Sequence, residues 1–460
     1  MNSILAPIAL LLMSSGLLYA EQSAAEHATA GETAWWLVAL FTLQGLAIVW
    51  LTRRRYFVRE GGELKPAFFE LQEYSFFLLS GAITAQLWVH GNAATYHATL
   101  HHVLLHWSWL ELDVTLHFLA NDIFMAFFFG IAAKELTEAI LMHDGALRGK
   151  QAILPLFACI GGVIGPAMVF RSIASPESAG AWGVPCATDI AFAWLGARAI
   201  WGRQHPAVIF LLALAVADDF IGMAIIAIWY PTRPFNIVGL LIAVSAIVMA
   251  FTFSRISKRN SVFGKWQLYM VPGLLSWIGL VIAGLHASLA LVFVVPFLPT
   301  GTEDAGLFAR PMDHSKAAIN QFGAATKPFV DAGLFYFGLA NAGVLWWGTN
   351  TWNQDAWAVL LGLGIGKVVG IVAGTYIGFA VLKQLVGHAE LPRSKTTDQQ
   401  LLWRDLPLIG LLGAVGFTVA LFVADAANGS DALRLGALAS FVYLGLAILV
   451  GQFLKPTQST

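Results

Sequence analysis

Apolar segments long enough to cross a bilayer follow one another along nearly the whole of this chain. The 460 residues are 58% apolar and 12% charged, and the mean hydropathy is +0.71. A soluble domain typically carries about twice that charged fraction. A membrane-spanning helix needs roughly 20 predominantly apolar residues, so the sequence predicts an all-α polytopic membrane protein. The predicted segments lie near 1–20, 34–51, 74–90, 114–134, 151–170, 183–200, 207–230, 235–253, 268–280, 281–298, 328–347, 356–382, 406–424 and 433–454.

The distribution of basic residues predicts the orientation. When the chain is threaded with Arg53–Arg55 in the cytoplasm, almost all Lys and Arg residues fall on that side. The exceptions are Arg171, Arg233 and Arg434 outside, and Lys134 and Lys367 within the membrane or at its edge. Basic residues favour the cytoplasmic side, so this asymmetry supports cytoplasmic termini for the core.

The chain divides into an N-terminal extension, residues 1–66, and a twelve-helix domain, residues 67–460. Residues 1–20 have a short apolar core and are read either as a cleaved secretory signal or as a retained helix. A second apolar segment near 34–51 and a basic cytoplasmic linker follow. The longest hydrophilic connections, about 301–327 and 383–405, are too short for a soluble domain.

Several classes of function are disfavoured by composition. The net charge of −1 argues against a nucleic-acid partner. The two cysteines, Cys159 and Cys186, lie in apolar segments and predict neither a disulfide framework nor a zinc cluster. The sequence contains no nucleophile with a base, metal-ligand set or phosphate loop, so neither an enzyme nor a cofactor is expected.

Asp218 and Asp219 are the most informative residues, because they lie in the middle of an uncharged apolar stretch, residues 207–230. A charge at mid-membrane costs roughly 2.5–3.5 kcal/mol, and such residues usually mark an ion or proton pathway. Adjacent helical residues are about 100° apart, so one aspartate is free to bind a cation while the other pairs with a lysine. Lys367 lies at the centre of its own segment and needs a carboxylate partner, for which Asp218, Asp219 and Asp189 are the candidates.

Two segments contain residues that interrupt a helix. Gly183 and Pro185 precede Thr188 and Asp189, and a run of glycines precedes Thr418. Each interrupted segment is the middle one of three, in groups 151–230 and 356–454 of opposite orientation. Paired interruptions of this kind indicate the binding site of a transporter built from inverted repeats. Asp189 is expected to neutralise the exposed amide end of a half-helix.

Two further clusters of ionisable residues each allow more than one interpretation. Glu135 and Glu138 are neighbours on one helix surface and are candidates for sensing cytoplasmic pH, the alternative being a solvated helix end. Six histidines between His90 and His117 suit zinc binding or pH sensing, the alternative being an amphipathic external hairpin or helix.

Three motifs resemble those of the bacterial NhaA family of sodium/proton antiporters. They are Val184-Pro-Cys-Ala-Thr-Asp-Ile-Ala-Phe192, the aspartate-bearing helix at 212–228, and Gly364-Ile-Gly-Lys367. The resemblance covers about residues 70–455. It implies an antiporter fold with inverted three-helix repeats and two discontinuous helices that cross at mid-membrane.

The resemblance also implies roles for individual residues. Asp218 and Asp219 would bind the transported Na⁺ and H⁺, with Asp219 as the primary ligand. Thr188, Asp189, Lys367 and Thr418 would support the site. Three departures from the family pattern are evident: the stretch 134–140 lacks an arginine, Asp331 and Phe335 replace an apolar residue and a proline, and the N-terminal extension is unusual.

The residues together with this resemblance predict a secondary transporter of a bacterial inner membrane, which exchanges cytoplasmic Na⁺ or Li⁺ for external H⁺ by alternating access. The exchange is expected to be electrogenic, because two adjacent carboxylates can load more than one proton. A homodimer is left open. Two alternatives are a sodium-coupled symporter of an organic anion and a non-transporting sensor on the same fold.

Overall fold

The computed structural model describes residues 76–141, 147, 149–202, 205–300, 317–346, 352–386, 390–392, 400–427 and 429–454. Helices dominate this part of the chain, together with one short antiparallel hairpin of strands β1 (Leu105–Trp107) and β2 (Leu112–Val114). In chain order the helices are α1 (Phe76–Gly91), α2 (Ala93–Leu100), α3 (Leu116–Leu141), α4 (Ile153–Ile173), α5 (Ile190–Trp201), α6 (Pro206–Trp229), α7 (Ile237–Ser257), α8 (Met270–Ala283), α9 (Ala318–Asn341), α10 (Gln354–Leu385), α11 (Leu406–Gly413), α12 (Thr418–Ala426), α13 (Asp431–Ala439) and α14 (Phe441–Leu454).

Membrane-spanning helices make up most of the described residues. Among the described residues, seven helices or helix pairs are long and apolar enough to cross a bilayer, and an eighth span is formed if the bent pair of α11 and α12 counts as one. This agrees with the predicted polytopic helical class. The segments predicted near 1–20 and 34–51, with the rest of the extension 1–66, lie outside the described residues. The inverted three-helix repeats stay a prediction.

The helix predicted near 281–298 is wrong. Helix α8 ends at Ala283, and Gly284 takes a left-handed conformation with φ +77°, which terminates a helix at little cost for glycine. Two short 3₁₀ turns follow, Ala287–Leu289 and Val295–Phe297, the second of which contains Pro296. The apolar composition of this stretch reflects burial inside the protein, because Ala287–Leu289 and Val295 are buried.

Helices α4 and α10 pack with their backbones almost in contact along the glycine stripe of α10. A Cβ atom built on Gly370 would lie 2.0 Å from the carbonyl oxygen of Gly161, and one on Gly165 would lie 2.2 Å from that of Gly366. Only glycine permits such an approach, which is typical of helix pairs in membranes. Lys367 lies within this stretch of α10, between Gly366 and Gly370.

We expect Gly370→Ala to destabilise the protein by about 1–3 kcal/mol or more, because the added methyl group forces two packed backbones apart. Thermal unfolding of the detergent-purified protein measures the effect. Gly445→Ala in α14 is the matched control, since a Cβ there meets no atom within 4 Å. Equal midpoints for the two variants would show that α4 and α10 are not held by this contact.

One end of the helical bundle is formed by the β1–β2 hairpin, the loop 174–183 and Tyr230–Arg233, and we call it the hairpin end. Arg233 donates from Nη1 to the carbonyl of Leu110 at 3.0 Å, and the Tyr230 hydroxyl donates to the carbonyl of Gly180 at 3.0 Å. Helix α3 begins at this end, and α6 finishes there. The interrupted segments meet between this end and the opposite one.

Candidate functional site

Asp218 and Lys367 form a buried ion pair between α6 and α10. Lys367 Nζ lies 2.7 Å from Asp218 Oδ2, and the two side chains are 0% and 1% exposed. A charge removed from water is tolerated only when it is paired and hydrogen-bonded. Of the three aspartates that the sequence offered as partners for Lys367, the structure therefore selects Asp218.

Lys367 also donates a hydrogen bond to the backbone carbonyl of Cys186. This carbonyl ends the short 3₁₀ turn Val184–Cys186, after which the chain is extended through Ala187 and becomes helical again at Ile190. The predicted interruption of this segment is confirmed. The lysine charge thus compensates both a carboxylate and the carbonyl end of the broken segment.

Asp189 compensates the amide ends of two half-helices at once. Its Oδ1 accepts hydrogen bonds from the backbone amides of Ala191 and Phe192, at 3.1 and 3.4 Å, and so caps α5. Its Oδ2 accepts from the amide of Thr418 at 3.1 Å and from the Thr418 hydroxyl, at the first residue of α12. A negative charge at a helix N-terminus is favourable, and here one carboxylate serves two.

The two interruptions are joined by backbone groups as well. The Asp189 amide donates to the carbonyl of Val415 at 2.7 Å, and the Thr188 hydroxyl donates to the carbonyl of Gly413 at 2.8 Å. Helices α11 and α12 bend by 51° across this break. Residues at each break therefore satisfy open backbone groups of the other, which is how irregular backbone is tolerated inside a membrane protein.

Asp219 is the carboxyl group at this crossing whose hydrogen bonding is incomplete. Its side chain is buried, with 5% of the residue exposed, and its Oδ1 has no hydrogen-bond partner among the described residues. Asp218, Asp189 and Lys367 are the charged groups that interact with it electrostatically. A buried polar oxygen without a partner is costly, and this oxygen is open to a proton or another ligand.

The arrangement as a whole collects three carboxyl groups and one ammonium around two broken helices. Lys367 and the amide ends of α5 and α12 offset Asp218 and Asp189, whereas Asp219 receives no such contact from the described residues. Carboxylate, hydroxyl and carbonyl oxygens are the ligands preferred by hard cations. The same carboxylate oxygens also bind protons, so a cation and a proton can compete for them.

Glu135 and Glu138 belong to a separate cluster on α3. Lys134 Nζ lies 3.1 Å from Glu135 Oε1 and 2.6 Å from Glu138 Oε2. Lys134 and Glu138 are 5% and 1% exposed. The alternative of a solvated helix end is therefore wrong for Glu138, and Lys134 supplies the charge that makes its burial tolerable. The structure does not bring this cluster into contact with Asp218 or Asp219.

The histidine-rich stretch runs from the end of α1 through α2 and the β1–β2 hairpin to the start of α3. His106 and Asp113 face each other across the two strands, and His106 Nδ1 lies 2.6 Å from Asp113 Oδ1 with both side chains exposed. Within the described residues no group of three or more metal-ligating side chains occurs. The region thus contains a short helix and a hairpin, and its role as an external amphipathic element stays a prediction.

Sequence reasoning missed several groups around the site. Cys159 Sγ lies 3.8 Å from Asp218 Oδ1, and the backbone carbonyls of Gly413 and Val415 bind the opposite segment. Backbone groups leave no mark in a sequence beyond the glycines that free them. A cysteine in an apolar run gives no signal of which charged group it faces, so Cys159 could not be identified in advance.

A comparison with known proteins identifies the family. Residues 67–454 match the family model described as Na⁺/H⁺ antiporter 1. A protein named Na(+)/H(+) antiporter NhaA from Desulfitobacterium hafniense is 40% identical over 400 residues, which cover 84% of this chain and 95% of that protein. Proteins of the same name from Geobacter sulfurreducens and Geobacter metallireducens are 40% and 42% identical, over 84% of this chain and 97% of each relative.

These matches extend across both interrupted segments, both aspartates of α6 and Lys367. Together with the apolar spans they establish a multi-pass membrane transporter rather than an enzyme. This chain belongs to the Na⁺/H⁺ antiporter 1 family.

Proposed function

We propose that this protein exchanges Na⁺ for H⁺ at the crossing of the two broken helices, with Asp219 as the primary ion ligand. The observation that carries the proposal is the unpartnered, buried Oδ1 of Asp219, one residue from the Asp218–Lys367 pair. Antiport as such follows from family membership, and members act on the transported ions without a cofactor. Thr188, Asp189 and Thr418 support the site by holding the two breaks together.

Exchange requires that binding of one ion exclude the other. Asp219 offers oxygens that either a cation or a proton can occupy, and Lys367 can leave Asp218 when a cation approaches that carboxylate. Two neighbouring carboxyl groups can accept more than one proton for each Na⁺ that leaves. We therefore propose electrogenic exchange of cytoplasmic Na⁺ or Li⁺ for a larger number of external protons, by alternating access.

The direction of exchange depends on how the protein is oriented in the membrane. The distribution of its basic residues supports one orientation. Arg171, Arg233 and Arg434 lie at or near the hairpin end, whereas Arg255, Lys258 and Arg259 lie at the far end of α7, which starts near Arg233. Positive residues favour the cytoplasm. We propose that the hairpin end faces outward from a bacterial inner membrane, with the core termini in the cytoplasm. A homodimer is proposed as the assembly.

The buried cluster of Lys134, Glu135 and Glu138 lies away from the hairpin end. We propose that it responds to cytoplasmic pH.

Family membership favours antiport over the symporter and sensor alternatives. The presence of Asp218, Asp219 and Lys367 argues against a protein that has lost transport.

Proteoliposomes with a preset acidic interior test the proposal. Addition of external NaCl or LiCl should dissipate the pH gradient in liposomes that contain the protein and leave protein-free liposomes unchanged. A membrane potential imposed with K⁺ and valinomycin should alter the initial rate if the exchange is electrogenic. Absence of a response to both cations across pH 6.5–9 would contradict the proposed exchange, whereas a response insensitive to potential would contradict only its electrogenicity.

A further inference from the structure

A second polar cluster lies toward the hairpin end, on helix α12 and its neighbours. Asp425 Oδ1 accepts a hydrogen bond from Arg434 Nη2 at 2.7 Å and lies 3.2 Å from His117 Nε2, while its Oδ2 accepts from Asn121 Nδ2 at 2.7 Å. The side chains of His117 and Asp425 are only 18% and 21% exposed. The ring of His101 lies 5.0 Å from that of His117.

The cluster connects helices that are distant in sequence. His117 and Asn121 belong to the start of α3, Asp425 to the end of α12, and Arg434 to α13. Asn121 and Asn341 also exchange hydrogen bonds, at 2.7 and 3.3 Å, which adds the end of α9. Side chains from four helices are therefore held together at one point between the hairpin end and the membrane interior.

Helix α12 joins this cluster directly to the ion site. It begins at Thr418, whose amide and hydroxyl bind Asp189, and it carries Asp425 seven residues later. At 1.5 Å per residue the two are about 10 Å apart along the helix axis. A rigid helix of this length cannot shift at Thr418 without disturbing the contacts of Asp425.

Aromatic side chains fill the space along α12 between the two points. Phe422 is 1% exposed, and its ring packs against those of Phe129, His286 and Phe337 with centroids 5.2, 5.6 and 6.4 Å away. This packing and the polar cluster follow α12 from Thr418, which binds Asp189, toward the hairpin end. An ion that moves along this face of α12 from the hairpin end to the crossing has to pass both.

We propose that Asp425, with its partners His117, Asn121 and Arg434, forms the gate that closes the ion route at the hairpin end, and that α12 transmits movement between Asp189 and this gate. The inference rests on the proposed exchange at Asp219. In this structure the gate is closed. Each transport cycle must break the contacts between α3 and the α12–α13 corner and form them again.

A reversible cross-link tests the gate. Both native cysteines are buried and can stay in place. His117→Cys and Asp425→Cys add two thiols on opposite sides of the gate, and a short bifunctional methanethiosulfonate joins them through disulfide bonds, with release of methanesulfinate, after the protein has folded. Na⁺-driven dissipation of the pH gradient should fall to the level of protein-free liposomes when the thiols are linked. Reduction of the linkage should restore the rate measured before linking.

The matched control is His106→Cys/Asp113→Cys, which replaces another His–Asp pair at the same end. That pair lies within one hairpin, so linking it should leave exchange unchanged. Full exchange with His117→Cys and Asp425→Cys linked would overturn the gate but not the proposed function. Absence of exchange in the unmodified wild-type protein would instead overturn the proposed function.

Discussion

Asp219→Asn is expected to reduce Na⁺-driven and Li⁺-driven H⁺ movement in proteoliposomes to the level of protein-free liposomes. The amide has nearly the shape of the carboxyl group but neither binds protons in this pH range nor carries the charge that attracts a cation. Because Asp219 Oδ1 makes no hydrogen bond to the described residues, little native bonding is lost. The thermal unfolding midpoint should therefore stay close to that of the wild type while transport disappears.

Asp355→Asn is the matched control for this substitution. Asp355 is buried to the same degree, 5% exposed, but its oxygens accept hydrogen bonds from Ser175 and Ser178 at the hairpin end, away from the crossing. It should retain exchange. Retained exchange in Asp219→Asn, across pH 6.5–9 and at saturating Na⁺, would remove Asp219 from the ion pathway.

Lys367→Met is expected to cost about 3–5 kcal/mol of stability, because it leaves the Asp218 carboxylate buried without its charge partner. It also leaves the carbonyl of Cys186 without its donor. Denaturant or thermal unfolding of the purified protein in detergent measures the loss. The control Lys383→Met makes the same change on an exposed side chain of the same helix and should have little effect.

The double variant Asp218→Asn/Lys367→Met separates the lost ion pair from lost packing. When both charges are removed, no unpaired charge remains in the interior, so most of the stability should return. If Lys367→Met were as stable as Lys383→Met, the ion pair would not be a determinant of the fold. If the double variant were no more stable than Lys367→Met, the loss of stability would come from packing around the methylene chain of the lysine.

The fold class could be predicted because a bilayer restricts its proteins so strongly. Apolar stretches of about 20 residues have few alternatives to a spanning helix, and this holds for α4, α6 and α7. The same reasoning failed near 281–298, where an equally apolar stretch is buried by the protein instead of by lipid. Composition cannot tell these two surroundings apart; Gly284 and Pro296 were the local signals.

The position of the site could also be predicted from the sequence, since charges at mid-membrane depth are costly and rarely retained without a role. Asp218, Asp219, Asp189 and Lys367 all stood out for this reason. The gate residues did not, because Asp425 and Arg434 lie near helix ends, where charged residues are ordinary. Nothing in their spacing indicates that His117 and Asn121, some 300 residues earlier, lie against them.

By itself, the sequence determined that this protein spans the membrane with helices, that two of its segments are interrupted, and that a few ionisable residues lie inside. Each of these follows from the cost of exposing a polar group to lipid, which is a local property of the chain. Only the tertiary structure decided that Lys367 pairs with Asp218, that Asp189 caps two half-helices, and that an oxygen of Asp219 is left without a partner. Those outcomes depend on distances between residues up to 229 positions apart, set by the close packing of α4 on α10 and the meeting of two broken helices.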